Sequence, residues 1–197
     1  MARPREFDED AVLDAARDQF WATGYAGTSM DAVAAATGLG KGSLYGAFGG
    51  KRQLFLRAFD TYCARIADEV ASDLSGPDDE AYDRLRAHIR AAAAGIAADR
   101  LHRGCLLAKG VAELSEHEPD VVARSRQTLE RIAATLAEDI RAAQRHGDLD
   151  PAADADHLAT LVLAVLRGIE ALGKAGVDAD RLAGVADTAI DLLPRAE

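Results

Sequence analysis

Apolar and polar positions follow a helical period almost from end to end, and no stretch alternates every second residue between turn signals as a half-buried strand does. Val12, Leu13, Ala16 and Phe20 share one face of a first helix expected over Asp8 to Thr23, with acids in its opening turn and Gly24 as its stop. Thr28, followed three residues later by Asp31, resembles a capping box opening a short second helix through Met30, Val33 and Ala34, which Gly38 terminates. Leu39, Leu44 and Phe48 are the apolar anchors of a third short helix. Gly49 and Gly50 break the chain again. Residues 51–74 contain neither proline nor glycine, so one helix of about 33 Å is expected there.

"SGPDD" at 75–79 ends that helix, and the next, to Ala98, places Tyr82, Leu85, Ile89, Ala92 and Ile96 on one stripe. A loop, "DRLHRG", leads to a short helix around "CLLAKGVAEL", which "SEHEP" terminates. From Asp120 a long helix runs to His146 and Gly147 with Leu129, Ile132, Ala133, Leu136 and Ile140 inward. In the helix over Ala155 to Gly173, Leu158, Leu161, Val162, Val165, Leu166, Ile169 and Leu172 form one stripe, yet Leu163 and Ala164 make its other side apolar too. The final helix, Asp178 to Leu193, adds Leu182, Val185, Ala186, Ala189 and Leu193. A helix apolar most of the way round needs two partners. These two are either the ordinary core of a monomer or half of a four-helix bundle completed by a second copy, and periodicity leaves both open. The fold class expected is all-α.

The 197 residues suffice for one large or two modest domains with a sizeable core. The N-terminal "MARPREFDED" has no apolar signal region, and the longest strongly apolar run, Leu158 to Leu166, is too short to cross a bilayer and meets Arg167. A soluble, cytoplasmic protein with no membrane partner is expected. Cys63 and Cys105 lie far apart without CxxC spacing, which fits a reducing compartment. The net charge of −10 by itself argues against nucleic acid as a partner. Its distribution changes that picture. Residues 1–52 hold six basic against seven acidic side chains, and within 40–52 Lys41, Lys51 and Arg52 stand with no acid. Arg3 and Arg5 form a second small basic arm. Phosphate attraction decays over about 8 Å at physiological salt, so a local positive surface works on an acidic protein.

"TGLGKGSLYGAF", residues 37–48, joins the two short helices through a glycine turn, as a helix-turn-helix does. The second helix of that motif enters the DNA major groove by its N-terminal end. Gly40 and Gly42 then let the backbone approach a duplex, while helix amides, Lys41, Ser43 and Tyr45 reach phosphates or base edges. A glycine-rich hinge in a helical bundle is the plainer alternative, but it does not call for donors at Thr28, Lys41, Ser43, Tyr45 and Lys51.

Residues 12–54 resemble the DNA-binding domain of TetR-family transcriptional regulators at Ala16, Phe20, Gly24, Tyr25, Thr28, Val33, Ala34, Gly38, Leu39, Gly42, Leu44, Tyr45, Phe48, Lys51 and Leu54. "RGCLLAKGVAEL" resembles a branch of that family with a Gly-Cys-Leu-Leu segment. The resemblance implies a helix-turn-helix domain over 1–50, with the motif at about 28–48, and an effector-binding and dimerisation domain over 51–197 that begins with a connecting helix at 51–74. It implies a ligand-responsive homodimeric repressor on a palindromic double-stranded DNA operator, released by a small effector. Thr28, Ser29, Gly40, Lys41, Gly42, Ser43, Tyr45, Gly46 and Lys51 are the implied DNA-contacting positions. Leu158, Leu161, Val162, Val165, Leu166, Ile169, Leu182, Val185 and Ala189 are the implied dimer interface. Gly40 and Gly50 stand where the family usually has small polar caps, and Gly46 and Ala47 where many members carry Tyr or His. Base readout then rests on few side chains or on DNA shape.

No Phe, Tyr or Trp follows Tyr82, so an effector cavity in the later helices suits a small aliphatic or acidic ligand better than a flat cation. His88, Lys109, Arg124, Gln127 and Arg131 are candidate contacts, although Arg124, Gln127 and Arg131 at helical spacing also fit a solvated face. Cys105 follows His102 and Arg103 at an expected helix N-terminus, features that favour a thiolate, so it is either a reactive sensor or a small buried apolar residue. Glu113, Glu116, His117 and Glu118 suggest a metal only superficially, because Pro119 and the ending helix disrupt the geometry; no metal or cofactor is expected. GxSxG, P-loop, GxGxxG and HExxH signatures are missing, which speaks against an enzyme. An activator of the same fold and a dimeric helical adaptor that contacts protein remain the alternatives.

Overall fold

The computed structural model describes residues 7–196, so the basic arm at Arg3 and Arg5 lies outside the described residues. It is all-helical: α1 (Glu9–Gly27), α2 (Met30–Thr37), α3 (Lys41–Phe48), α4 (Lys51–Asp73), α5 (Ala81–Ala98), α6 (Leu106–Leu114), α7 (Pro119–His146), α8 (Ala155–Lys174) and α9 (Ala179–Asp191), with a 3-10 turn at Asp78–Glu80 before α5. The described residues hold no β-ladder; a single bridge pairs Leu149 with Arg195. No described helix is long and apolar enough to cross a membrane.

The chain divides into two compact units, and neither follows a cut at residue 50. The first comprises residues up to Arg65 together with Leu106–Ser125, and the second comprises Ile66–Cys105 with the chain from Arg126 onward. Helix α6 therefore belongs with the N-terminal helices, packing on α1. Gly110 makes that union possible, because a Cβ there would stand 3.1 Å from the Phe59 ring and 3.2 Å from Val121.

In the first unit Val12, Leu13, Ala16 and Phe20 of α1 are buried as their spacing predicts. Phe20 meets the edge of Phe55 at 5.1 Å between centroids, Phe55 continues to Phe59 at 5.5 Å, and Tyr25 closes on Phe55 at 5.1 Å. Such contacts add to the apolar area buried. Gly24 breaks α1 with φ 78° and ψ 167°. The break frees the Tyr25 amide, which donates to Glu113 Oε2 at 2.7 Å. A Cβ at Gly24 would lie 2.5 Å from Glu113 Oε1, so both conformation and space demand glycine here. Glu113 is thus a cap, and Glu118 pairs with Arg52 at 2.8 Å. The group expected to be a merely solvated helix end instead ties α6 and the start of α7 to the N-terminal helices.

The second unit has its own core. Leu85 and Ile89 of α5, Leu136 and Ile140 of α7, Ile169 of α8 and Leu182 and Ile190 of α9 are all buried within it. Four of the residues expected at a dimer interface, Val162, Leu166, Ile169 and Leu182, are part of this core and unavailable to a partner. Leu161 (53%), Leu172 (40%) and Val185 (37%) carry the exposed apolar surface of α8 and α9. Within the core, Arg84 donates to Asp139 Oδ1 at 2.6 Å, leaving Arg84 Nε and Asp139 Oδ2 buried without a protein partner. Burial pushes the Asp139 carboxyl up, against the pull of Arg84 and His88.

Two predictions follow from the packing of this unit. A Cβ at buried Gly173 would overlap Ile96 Cγ2, a β-branched atom that cannot swing away, whereas one at Gly95 of α5 meets nothing within 4 Å. Gly173→Ala should lose about 1 to 3 kcal/mol to overpacking, and Gly95→Ala should gain about 1 kcal/mol of helix propensity; chemical denaturation checks both. For Asp139 the sign is set by its raised folded value. Its contribution is most favourable below the ordinary aspartate range and declines as pH rises through the folded value. The stability difference between wild type and Asp139→Asn, measured by denaturation at several pH values, should therefore shift against wild type as pH rises through that window.

Candidate nucleic-acid interface

Ser29 caps α2, its hydroxyl accepting from the Ala32 amide at 3.1 Å. The cap is therefore one residue later than the Thr28–Asp31 pattern suggests. Thr28 is 2% exposed, and its hydroxyl donates to Gly24 O at 2.6 Å and lies 2.7 Å from Thr23 Oγ1. Its donor is consumed inside the protein, which removes Thr28 as a DNA contact. The α2–α3 turn forms because Gly38 adopts φ 70°, ψ 8°, the left-handed region that glycine enters without Cβ strain. Leu44 and Phe48 are buried and Leu39 half-buried, anchoring α3 by one face.

The opposite face is bare. Lys41, Gly42, Ser43, Tyr45 and Gly46 are exposed, Tyr45 to 50%. Gly40 caps α3 at φ −67° with no side-chain cap, so no side chain covers the leading amides. A Cβ at Gly40, Gly42 or Gly46 would meet nothing within 4 Å. Neither internal packing nor the extended backbone of Gly40 requires glycine, and what the missing side chains leave open is the outer surface of α3.

Cations around this face are held by internal partners. Lys41 Nζ lies 2.5 Å from Asp31 Oδ1 of α2, and that hydrogen bond raises the Lys41 value. Lys51 Nζ sits 4.5 Å above the Tyr25 ring. Arg52 bonds Glu118 and, at 3.0 Å, Asp120. Burial, with Glu118 nearby, raises the Tyr25 phenol. The ion pairs of Asp31, Glu118 and Asp120 escaped the sequence reading because each joins residues of separate elements, and no spacing rule signals that.

The effector candidates divide between the two units. Lys109 and Arg124 belong to the first unit; His88, Cys105, Gln127 and Arg131 belong to the second. Lys109 donates to Trp21 O at 2.9 Å. Arg124 pairs with Asp60 and reaches Leu56 O at 3.2 Å. His88 Nδ1 is 3.0 Å from Asp73, Arg131 is 2.6 Å from Asp68, and Gln127 is exposed. None lines the groove of about 580 Å³ between α5 and α9 or that of about 680 Å³ between α8 and α9. Cys105 alone sits in a polar cluster, its Sγ 3.3 Å from Arg167 and hydrogen-bonded to Glu170. No cluster of three or more His, Cys, Asp or Glu able to hold a metal occurs among the described residues.

Comparison with known proteins bears on both units. Residues 12–58 match the model for bacterial regulatory proteins of the tetR family, and residues 81–189 match a tetracyclin repressor-like C-terminal domain. The HTH-type transcriptional repressor ComR of Escherichia coli K12 is 28% identical over 98% of this chain and 91% of its own. The TetR family transcriptional regulator CifR, a cysteine mutant solved with 26-base-pair double-strand operator DNA, is 30% identical with a TM-score of 0.82, covering 98% of this chain and 100% of that one. A TetR transcriptional regulator from Chloroflexus aurantiacus is 26% identical at a TM-score of 0.82, over 95% of this chain and 96% of its own. With one domain model on the helix-turn-helix and another on most of the remaining helices, the chain belongs to the TetR family of bacterial transcriptional regulators.

Proposed function

We propose that this regulator is a homodimeric repressor that reads a palindromic operator with α3 and is released by a small effector acting on its second unit. The observation that carries the DNA-binding part is the outer face of α3, where three glycines that the fold does not need flank Lys41, Ser43 and Tyr45. ComR is named a repressor and CifR was solved on operator DNA, which supports the same role here. An activator would bind the same way and differ only in where its operator lies.

The dimer reading rests on the outer side of α8 and α9. Val165, Leu172, Val185 and Ala189 line the groove between them, with Leu161 beside it and Leu158 half-buried. A twofold partner presenting the same face would cover this surface, and the two α3 helices must then meet successive major grooves about 34 to 36 Å apart.

For the effector, the cluster around Cys105 supports a small electrophile and extends the branch resemblance of Gly104–Leu107. The residue is 7% exposed, which restricts the reagent to small molecules. With an enone, sulfur bonds the β-carbon, the π pair moves to the α-carbon, and the thiol proton is taken up there by way of Glu170. The alkylated sulfur no longer fits between Arg167 and Glu170, and release follows if that strain favours the conformation with low DNA affinity.

Selection of bound duplexes from a random pool should yield an inverted repeat, and recovery of no sequence at low salt would overturn the repressor reading. Lys41→Ala or Lys51→Ala should each lower affinity across sequences, and Lys51→Ala should reduce the salt slope by about 1; a protein adaptor shows neither effect. Leu161→Glu with Val185→Glu should yield monomers in sedimentation velocity while circular dichroism stays helical. An enone should weaken operator binding by wild type and spare Cys105→Ser, with mass spectrometry locating the adduct.

A further inference from the structure

Among described residues 7–65 there are six basic side chains, and each is engaged inside the first unit. Arg17 pairs with Asp14 and Asp18, Lys41 with Asp31, Arg52 with Glu118 and Asp120, Arg57 with Glu9, Arg65 with Asp14, and Lys51 rests over Tyr25. Lys41 differs from the rest by position. It is the first residue and sole cation of α3, at the end that leads into a groove. Its partner stands on α2, in the first turn after the Ser29 cap. Both side chains are open to solvent, 51% and 73% exposed, so burial does not lock the pair.

The consequence is electrostatic. A phosphate approaching Lys41 finds the ammonium occupied and a carboxylate 2.5 Å from it. Bonding the phosphate requires Lys41 to leave Asp31, which then stands uncompensated beside a polyanion. That penalty applies to every duplex, whatever its sequence, because phosphate contacts are sequence-independent. Contacts from Ser43, Tyr45 and the bare backbone to base edges are not taxed in this way. We propose that Asp31 limits the affinity of the helix-turn-helix for any duplex: it holds Lys41 in the free protein and competes with DNA phosphate for it. The inference rests on the reading of α3 as the recognition helix.

Ion release gives the proposal a distinctive signature. Transfer of Lys41 releases a counterion from DNA, but the abandoned Asp31 takes one up, so the pair contributes little net release. Asp31→Asn restores it. In the full chain, Asp31→Asn should bind a random-sequence duplex about two- to fivefold tighter per bound helix-turn-helix, the scale of an exposed ion pair. The plot of log affinity against log salt should steepen by about 0.9 per helix. Affinity for the selected operator should rise by a similar factor, so the specificity ratio stays unchanged. In a Lys41→Met background the same substitution should produce a smaller gain. Asp31→Ser provides a second uncharged variant that leaves the Ser29 cap in place, and circular dichroism with thermal melting verifies the fold of each.

Unchanged random-duplex affinity and slope in both Asp31 variants, with wild-type folding, overturns the proposal. An equal gain with and without Lys41 also overturns it, since general repulsion then suffices. If wild type and every variant ignore all duplexes at low salt, the failure belongs to the recognition-helix reading; if wild type binds and the Asp31 variants match it, only the present inference fails.

Discussion

Two helices of eight residues cannot hold themselves in water, where isolated helices below about 12 to 15 residues are marginal. Helices α2 and α3 depend on burying Val33, Leu44 and Phe48, each at most 4% exposed. That single constraint organises the first unit. Because Leu44 and Phe48 carry most of the packing of α3, its outer positions have no structural obligation, and glycine occupies two of them, Gly42 and Gly46, and the cap at Gly40 without loss of contact. The Phe48 ring meets Phe7 at 6.2 Å between centroids and lies under the Arg57 guanidinium, and Gly38 makes the turn that joins α2 to α3. What the DNA-facing side looks like therefore follows from where the core is, not from any property of the exposed residues themselves.

Much of this was legible from residue order. Helical period located the helices to within a few residues, and Gly24, Gly38, Gly49 and Gly147, all at positive φ, mark stops where they were expected. Errors arose where the local code is degenerate. Thr28 and Ser29 are both good caps, and which one turns outward depends on the break at Gly24 and on Thr23, five residues earlier. In α8 apolar side chains occupy nearly every face, so the stripe was visible while the division between own core and outer surface was not. Ile169 and Leu161 look alike in a sequence and are 0% and 53% exposed.

Long-range polar contacts were invisible for a different reason. Asp31 with Lys41, Glu118 with Arg52 and Glu113 with the Tyr25 amide join residues on separate elements, 10 to 88 positions apart, and no periodicity encodes such pairs. The run Arg124, Gln127, Arg131 was readable as one helix face, but its neutralising acids, Asp60 and Asp68, lie on α4. Pairing of this kind sets acids or rings beside the cations of the first unit, in a chain whose net charge is −10.

The placement of aromatic rings has a spectroscopic corollary. Trp21 and every Phe belong to the first unit, and Tyr82 is the one Phe, Tyr or Trp of the second. Fluorescence and near-ultraviolet dichroism of this protein are therefore almost entirely signals of its DNA-facing half. Melting of the other half is nearly dark to them and must be followed through amide absorption or hydrogen exchange, and a mismatch between the two kinds of curve measures how independently the halves unfold.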